Sequence, residues 1–238
     1  TPTQAPLSMS DTPFQHHFAD LSAVRMHYVT AGAGAPVVLL HGWPQTWYEW
    51  RDVMTRLAPH YRLIAPDLRG LGDTSRPASG YDKRTIAEDV WELVHGHLGI
   101  DSFLLVGHYW GGPTAYSLAA HHADAVRKLA ILDVTIPGDG SPNISQGGKR
   151  WHHAFQQTPD MPEQLITGRE DIYLGWFYRN YPYRSDAIDA EAEEEYLRCY
   201  RQPGALTAGF AYYRNIPQDI AYNTELIKRF KLPMPVLA

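Results

Sequence analysis

The sequence predicts an α/β fold: a mostly parallel central sheet with helices on both faces and a helical cap over one edge. Three observations predict it. Strand-like and helix-like stretches alternate from residue 36 to residue 133, the pattern of a parallel sheet covered on both sides. The strand-like stretches PVVLLHG, RLIAPD, FLLVGH and KLAILD are short, unbroken apolar runs, as in strands buried on both faces. From 140 to 222 the strands stop, and aromatic-rich helical patterns take over.

The elements follow in order. Residues 14–30 read as a hairpin, with VRMHYVTAG alternating before a Gly-rich turn. PVVLLHG (36–42) is the first buried strand, a helix is expected over 47–58, and RLIAPD (62–67) is the second buried strand. LRGLGDTSRPASG reads as loop from its Gly, Ser and Pro content. Between Asp82 and Leu98 the apolar residues Ile86, Val90, Leu93 and Val94 share one helical face. FLLVGH (103–108), the helix GPTAYSLAAHH and the strand KLAILD (128–133) complete the alternation. A helix over 223–231 leads to PMPVLA (233–238), the start of a further strand. The expected division is a hydrolytic-type core of residues 1–139 and 223–238 with a cap of residues 140–222.

The totals narrow the functional classes. The chain has 238 residues, 44% hydrophobic and 20% charged, which suits one soluble domain with an insertion. A net charge of −5 argues against a nucleic-acid footprint, which needs a basic patch. No apolar run approaches the roughly 20 residues of a membrane span. The single cysteine, Cys199, permits no internal disulfide and is expected to be packed rather than reactive. The start, TPTQAPLSMSDTPF, lacks a basic-then-apolar pattern. A cytoplasmic location is favoured, and secretion after processing stays open. The acidic run Glu191–Glu195 reads as a solvated helix face. No cofactor or metal is expected, because neither HExxH nor a Cys/His cluster is present.

Three features carry chemistry. Gly107-His108-Tyr109-Trp110-Gly111-Gly112 lies between a buried strand and an Ala-rich helix. That is the form of a nucleophile elbow, a turn so tight that its flanking positions must be small and its central side chain stands exposed. The helix N-terminus beneath it favours developing negative charge. His41-Gly42-Trp43-Pro44 ends the first buried strand. The backbone N–H of Trp43, with that of Trp110, is expected to form an oxyanion hole. His41 itself reads as structural. Asp133 ends the strand KLAILD, where a carboxylate can orient a histidine base.

HGWPQTWYEW, APDLRGLGDTS, the elbow and LDVTIPGDG resemble the α/β-hydrolases that attack with an aspartate, the epoxide hydrolases and the haloalkane and fluoroacetate dehalogenases. RWHHAF (150–155), LITGRE (165–170) and FAYYRN (210–215) add resemblance to the Cif-type epoxide hydrolases. It extends over about residues 20–238. The resemblance implies the α/β-hydrolase fold and attack by an elbow carboxylate on an epoxide, giving an alkyl-enzyme ester. A carboxylate-oriented histidine then activates water, yielding a vicinal diol without a cofactor. It implies a His–Tyr pair of proton donors in the cap, matched here by His152 and Tyr213, and a pocket residue at His153, where the dehalogenase branch has a halide-contacting Trp. That difference tilts the expectation towards a small apolar epoxide as substrate.

The sequence departs from the pattern at two points. Position 109 is Tyr rather than Asp. A phenol with its ordinary pKa of about 10 is neutral at pH 7, and an aryl ether, unlike an ester, has no acyl carbon for water to attack. Of the 12 histidines, the last is His153, whereas the triad order places the base after the acid and the final strand. The expectation is therefore a nucleophile variant whose remaining strands and base histidine belong to a longer product. Two other functions stay open: a dehalogenase on the same scaffold, and a binder of a small molecule or protein without turnover. A serine esterase is disfavoured because the elbow carries no Ser. The oligomeric state is left open, a homodimer included.

Overall fold

In the computed structural model, residues 14–140, 148–184 and 186–238 are described. Residues 1–13 of the expected core and 141–147 of the expected cap lie outside them. The apolar runs become strands: β1 (Gln15–Asp20), β2 (Arg25–Ala31), β3 (Ala35–Leu40), β4 (Tyr61–Pro66), β5 (Phe103–His108), β6 (Val126–Leu132) and β7 (Val236–Leu237). They form one sheet in the order β1-β2-β4-β3-β5-β6-β7. β1 and β2 pair antiparallel with each other and β2 antiparallel with β4, while the pairs from β4 through β3, β5 and β6 to β7 are parallel. The fold class is the one the sequence predicts.

Both faces of the sheet are covered, as continuous apolar strands require. Val37 and Leu39 of β3 pack with Trp47, Trp50 and Met54 on the side of α1 (Arg51–Leu57). Their neighbours Val38 and Leu40 join the larger core with α2 (Lys83–Trp91) and α3 (Gly111–His121). The alternation follows from the two-residue period of a strand. Asp82 starts α2 by accepting the Thr85 N–H at 3.0 Å, the usual N-cap arrangement.

Among the described residues, six further helices follow β6: α4 (Trp151–Gln157), α5 (Met161–Ile166), α6 (Glu170–Asn180), α7 (Ala190–Tyr200), α8 (Ala205–Arg214) and α9 (Ile216–Arg229). The helix expected over 223–231 thus begins at Ile216 and ends at Arg229. Pro217 sits in the first turn of α9, where its missing N–H costs nothing. Two other expected helices are interrupted. Trp47–Trp50 is a 3-10 turn ahead of α1, and α2 passes into a π-helical turn over Glu92–His97. The acidic run of α7 is also more than a solvated face. Glu191 accepts from the Tyr48 hydroxyl at 2.8 Å, and Glu193, Glu194 and Glu195 pair with Arg179, Arg201 and Arg198. Cys199 is buried, as expected, and burial pushes its thiol well above the ordinary range.

The register decides where function can sit. Leu40 lies beside Gly107, and His108 beside Leu132. The turns leaving β3, β5 and β6 therefore emerge side by side at the carboxyl edge of the sheet, the edge where parallel α/β proteins bind ligands. The helical segment closes over this edge, with Tyr178 of α6 donating its hydroxyl to Pro44 C=O at 2.6 Å.

Candidate active site

The turn after β5 has the conformation of an elbow. Tyr109 has φ of 49°, a region that side chains enter only when their surroundings over-determine it. The constraints are visible. Tyr109 N–H donates to Leu132 C=O at 3.1 Å, and Gly112 N–H donates to Tyr109 C=O at 2.8 Å. A Cβ on Gly107 would stand 2.2 Å from the Gly111 carbonyl oxygen, so only glycine lets strand and helix approach this closely.

The β3 turn faces the elbow, as expected. A Cβ on Gly42 would stand 2.5 Å from the Tyr109 Cβ. Both ring nitrogens of His41 are engaged: its Nε2 accepts the Leu68 N–H at 3.0 Å, and its Nδ1 lies 3.1 Å from Gly42 C=O. The imidazole thus ties the β3 turn to the β4 turn. Trp43 and Trp110 flank the elbow, and both are buried.

The helical segment delivers two groups to one oxygen. The Tyr109 hydroxyl lies 3.1 Å from His152 Nε2 and 3.0 Å from the Tyr213 hydroxyl. His152 Nδ1 lies 2.9 Å from the Tyr181 hydroxyl, which also donates to Lys149 C=O at 3.2 Å. One assignment satisfies each group: Tyr213 donates to Tyr109, Tyr109 to His152 Nε2, His152 Nδ1–H to Tyr181, and Tyr181 to Lys149 C=O. If the Tyr181 hydroxyl turns to Nδ1 instead, the imidazole presents Nε2–H to the elbow. The direction of the Tyr181 hydroxyl and the His152 tautomer are therefore coupled.

The electrostatics keep the network neutral. Burial, then His153 and Arg150, lowers His152 to about 3. Burial, then Arg150, lowers His153 to about 4. Burial raises the Tyr109 phenol well above its ordinary range, although the Tyr213 hydrogen bond and Arg150 pull the other way. Tyr213 is raised by burial and by Tyr109. Each is the expected response of a charged form to a water-poor site.

A cavity of about 700 Å³ opens above this network. Trp43, Tyr109, Asp133, His152, Phe177 and Tyr181 are among the residues lining it. Trp110, His153 and Tyr213, expected on its wall, are buried beside the elbow and are not among the residues lining it. Around the elbow several buried polar atoms have no partner among the described residues: both ring nitrogens of His153 and the indole N–H groups of Trp43 and Trp110. Asp133, with φ of 52°, is exposed on the cavity wall, and no hydrogen bond joins it to a histidine among the described residues.

Sequence reasoning missed four contributors. Tyr181 gave no signal, because its partner His152 belongs to another helix. Glu49 and His108 pair at 3.1 Å beside the elbow. There burial lowers His108, but the charge and hydrogen bond of Glu49, with Asp133, outweigh it and raise the imidazole. Only tertiary packing joins a residue of the turn before α1 to the end of β5. Arg150 lines the same cavity. For metals, the groupings His27/Asp67/Asp73 and Asp73/Glu195/Cys199 are already committed. His27 Nδ1 and the Asp73 N–H occupy Asp67 Oδ2, and Arg198 binds both Asp73 oxygens and Cys199.

The sequence profile described as alpha/beta hydrolase fold matches residues 35–208. The chain belongs to the α/β-hydrolase fold family. This α/β-hydrolase is 41% identical to a soluble epoxide hydrolase of Corynebacterium sp. (strain C12), over 95% of the chain and 81% of that protein. It is 34% identical to a fluoroacetate dehalogenase of Burkholderia sp., over 84% of the chain and 69% of that protein. Among solved structures it is similar to the epoxide hydrolase CorEH, with a TM-score of 0.88 and 41% identity, covering 94% of this chain and 81% of that one. The α/β-hydrolase is thus of the epoxide-hydrolase type, as the motifs of the sequence implied.

Proposed function

We propose that this site is built to open a small apolar epoxide by attack from position 109, and that Tyr109 makes the chain a nucleophile variant. The observation that carries the reading is the convergence of His152 and Tyr213 on the Tyr109 hydroxyl, at 3.1 and 3.0 Å. The phenol oxygen stands where an epoxide oxygen would be polarised. Opening the ring places charge on an alkoxide, which two hydrogen-bond donors at this distance stabilise. Tyr213 supplies its O–H directly, and His152 supplies Nε2–H in the tautomer that accepts from Tyr181 at Nδ1. With a carboxylate at 109, its oxygen attacks the less hindered carbon, the C–O bond breaks, and the alkoxide takes a proton from the donor pair. Water then cleaves the resulting ester to a vicinal diol. The backbone N–H groups of Trp43 and Trp110 serve as the oxyanion hole of that second step, and Asp133 as the carboxylate that orients a histidine base.

Tyr109 itself favours a second reading, small-molecule binding without turnover. Its raised pKa keeps it protonated, and a neutral phenol is a poor nucleophile. The dehalogenase reading has less support. Trp110 offers one buried indole N–H, but its neighbour is His153, at 5.9 Å between ring centroids, rather than a second indole.

The test is Tyr109→Asp, challenged with a panel of small aryl and alkyl epoxides. A covalent adduct in the intact mass, or diol in solution, is expected. A folded variant giving neither with any of them refutes the epoxide reading in favour of binding. Adding Tyr213→Phe is expected to slow alkylation about 10²–10³-fold, the effect of losing one oxyanion donor; an unchanged rate assigns Tyr213 to packing.

A further inference from the structure

A buried ion pair lies directly behind the donor pair. Lys83, the first residue of α2, is 2% exposed. Its ammonium donates to Asp219 Oδ2 of α9 at 2.9 Å and to Tyr212 C=O of α8 at 3.1 Å. Its backbone N–H donates to Asp219 Oδ1 at 2.8 Å. The ammonium also stands 4.6 Å from the centroid of the Trp110 ring, within cation–π range. Trp110 in turn meets the Tyr213 ring edge-on, at 5.1 Å and 83°. One charge thus touches the elbow, the backbone next to Tyr213, and the helix that follows.

We propose that Lys83, anchored by Asp219, is a positioning residue that sets where the Tyr213 hydroxyl stands against the elbow, an inference that rests on the reading of Tyr213 as an oxygen donor. Stability does not explain the pair. Two well-packed apolar side chains serve a buried site as well as or better than an ion pair. Burial here raises the Asp219 carboxyl despite the pull of Lys83. What an apolar pair cannot supply is a donor for Tyr212 C=O. That carbonyl lies in the last turn of α8, where helices leave acceptors without partners. Fixing it fixes the backbone that carries the Tyr213 side chain.

The experiment replaces both partners, Lys83→Met with Asp219→Leu, in the otherwise unchanged chain. Its crystal structure is expected to show the Tyr109 and Tyr213 hydroxyls, 3.0 Å apart in the parent, beyond hydrogen-bond distance, with the fold intact. A retained separation overturns the proposal. If the double variant does not fold, Asp219→Asn, which keeps the side-chain shape, is expected to give the same displacement in smaller measure, and no displacement overturns it likewise. In the Tyr109→Asp background the double replacement should lower the maximal single-turnover rate of alkylation about tenfold, with the half-saturating epoxide concentration nearly unchanged. It should add almost nothing once Tyr213→Phe is present, since groups acting as a unit are non-additive. Additive losses overturn the proposal. An inactive Tyr109→Asp parent condemns the epoxide reading alone, because the separation of the hydroxyls still judges this one.

Discussion

At the scale of single residues, the elbow is a set of mutual constraints rather than one special position. Tyr109 keeps φ of 49° because hydrogen bonds on both sides hold it, and its Cβ leans against Gly42. Gly42→Ala places a methyl 2.5 Å from that Cβ, closer than any real contact, and backbone on both sides limits relaxation. The substitution is expected to cost about 1–3 kcal/mol, the range for overpacking a filled core, and to displace the Tyr109 hydroxyl from its two partners. Urea unfolding measures the first and a crystal structure the second. Wild-type stability together with an undisturbed elbow would show that the two turns do not constrain each other. Position 109 was legible in the sequence because an elbow has a local signature: small residues at fixed offsets between a strand and a helix. Tyr181 and Glu49 were not, because nothing local distinguishes a tyrosine or glutamate that will meet a histidine from one that meets solvent.

At the scale of elements, the buried strands were readable because each is an unbroken apolar run, and the helices between them because apolar residues recur on one face. What escaped was where helices break and where they run on, as at the π-helical turn after α2 and the early start of α9. The loop Asp67–Tyr81 also carries more order than its Gly and Pro content suggests. Arg69 reaches from it to Asp89 of α2 with two bonds of 2.7 Å, both side chains 5% exposed. This bidentate geometry is the strongest form of the interaction. Arg69→Met is expected to destabilise by about 3–5 kcal/mol, because it leaves a buried carboxylate unpaired. Arg69→Met with Asp89→Leu should recover most of that loss. Thermal unfolding of the parent and the variants decides it; a single replacement as mild as the double one would mean that the loop is held by its apolar contacts alone.

At the scale of the whole molecule, the water-poor junction of core and helical segment leaves a mark on stability against pH. His152 and His153 have pKa values lowered to about 4 or below in the folded chain, against about 6.5 when unfolded. Below pH 6.5 the unfolded chain therefore binds protons that the folded chain refuses. Stability is present above that pH and falls as pH drops towards 4, by at most about 1.4 kcal/mol per pH unit for each histidine. His108 has the opposite sign. Its raised pKa contributes stability that is full below about 6.5 and lost as pH rises through the folded value. His153→Phe removes one of the two dominant groups without breaking a hydrogen bond, since neither ring nitrogen has a partner among the described residues. The variant should match the parent within about 1 kcal/mol at pH 8 and exceed it increasingly between pH 6 and 4.5. Denaturant unfolding across that range is the measurement, and parallel curves for the two proteins would refute the assignment.

The sequence by itself determined the sheet, the order of its strands and helices, the elbow, and the family resemblance. All of these rest on patterns within a few neighbouring residues, where strand period, helix period and glycine spacing act directly. Only the tertiary structure decided that Tyr109 turns its hydroxyl onto His152 and Tyr213, that Trp110 and His153 are buried beside the elbow, and that Lys83 stands behind the donor pair. Those facts depend on how α4, α8 and α9 pack across the carboxyl edge of the sheet. Contacts of that kind join residues far apart in the chain, and their energy exists only once burial has removed water from between them.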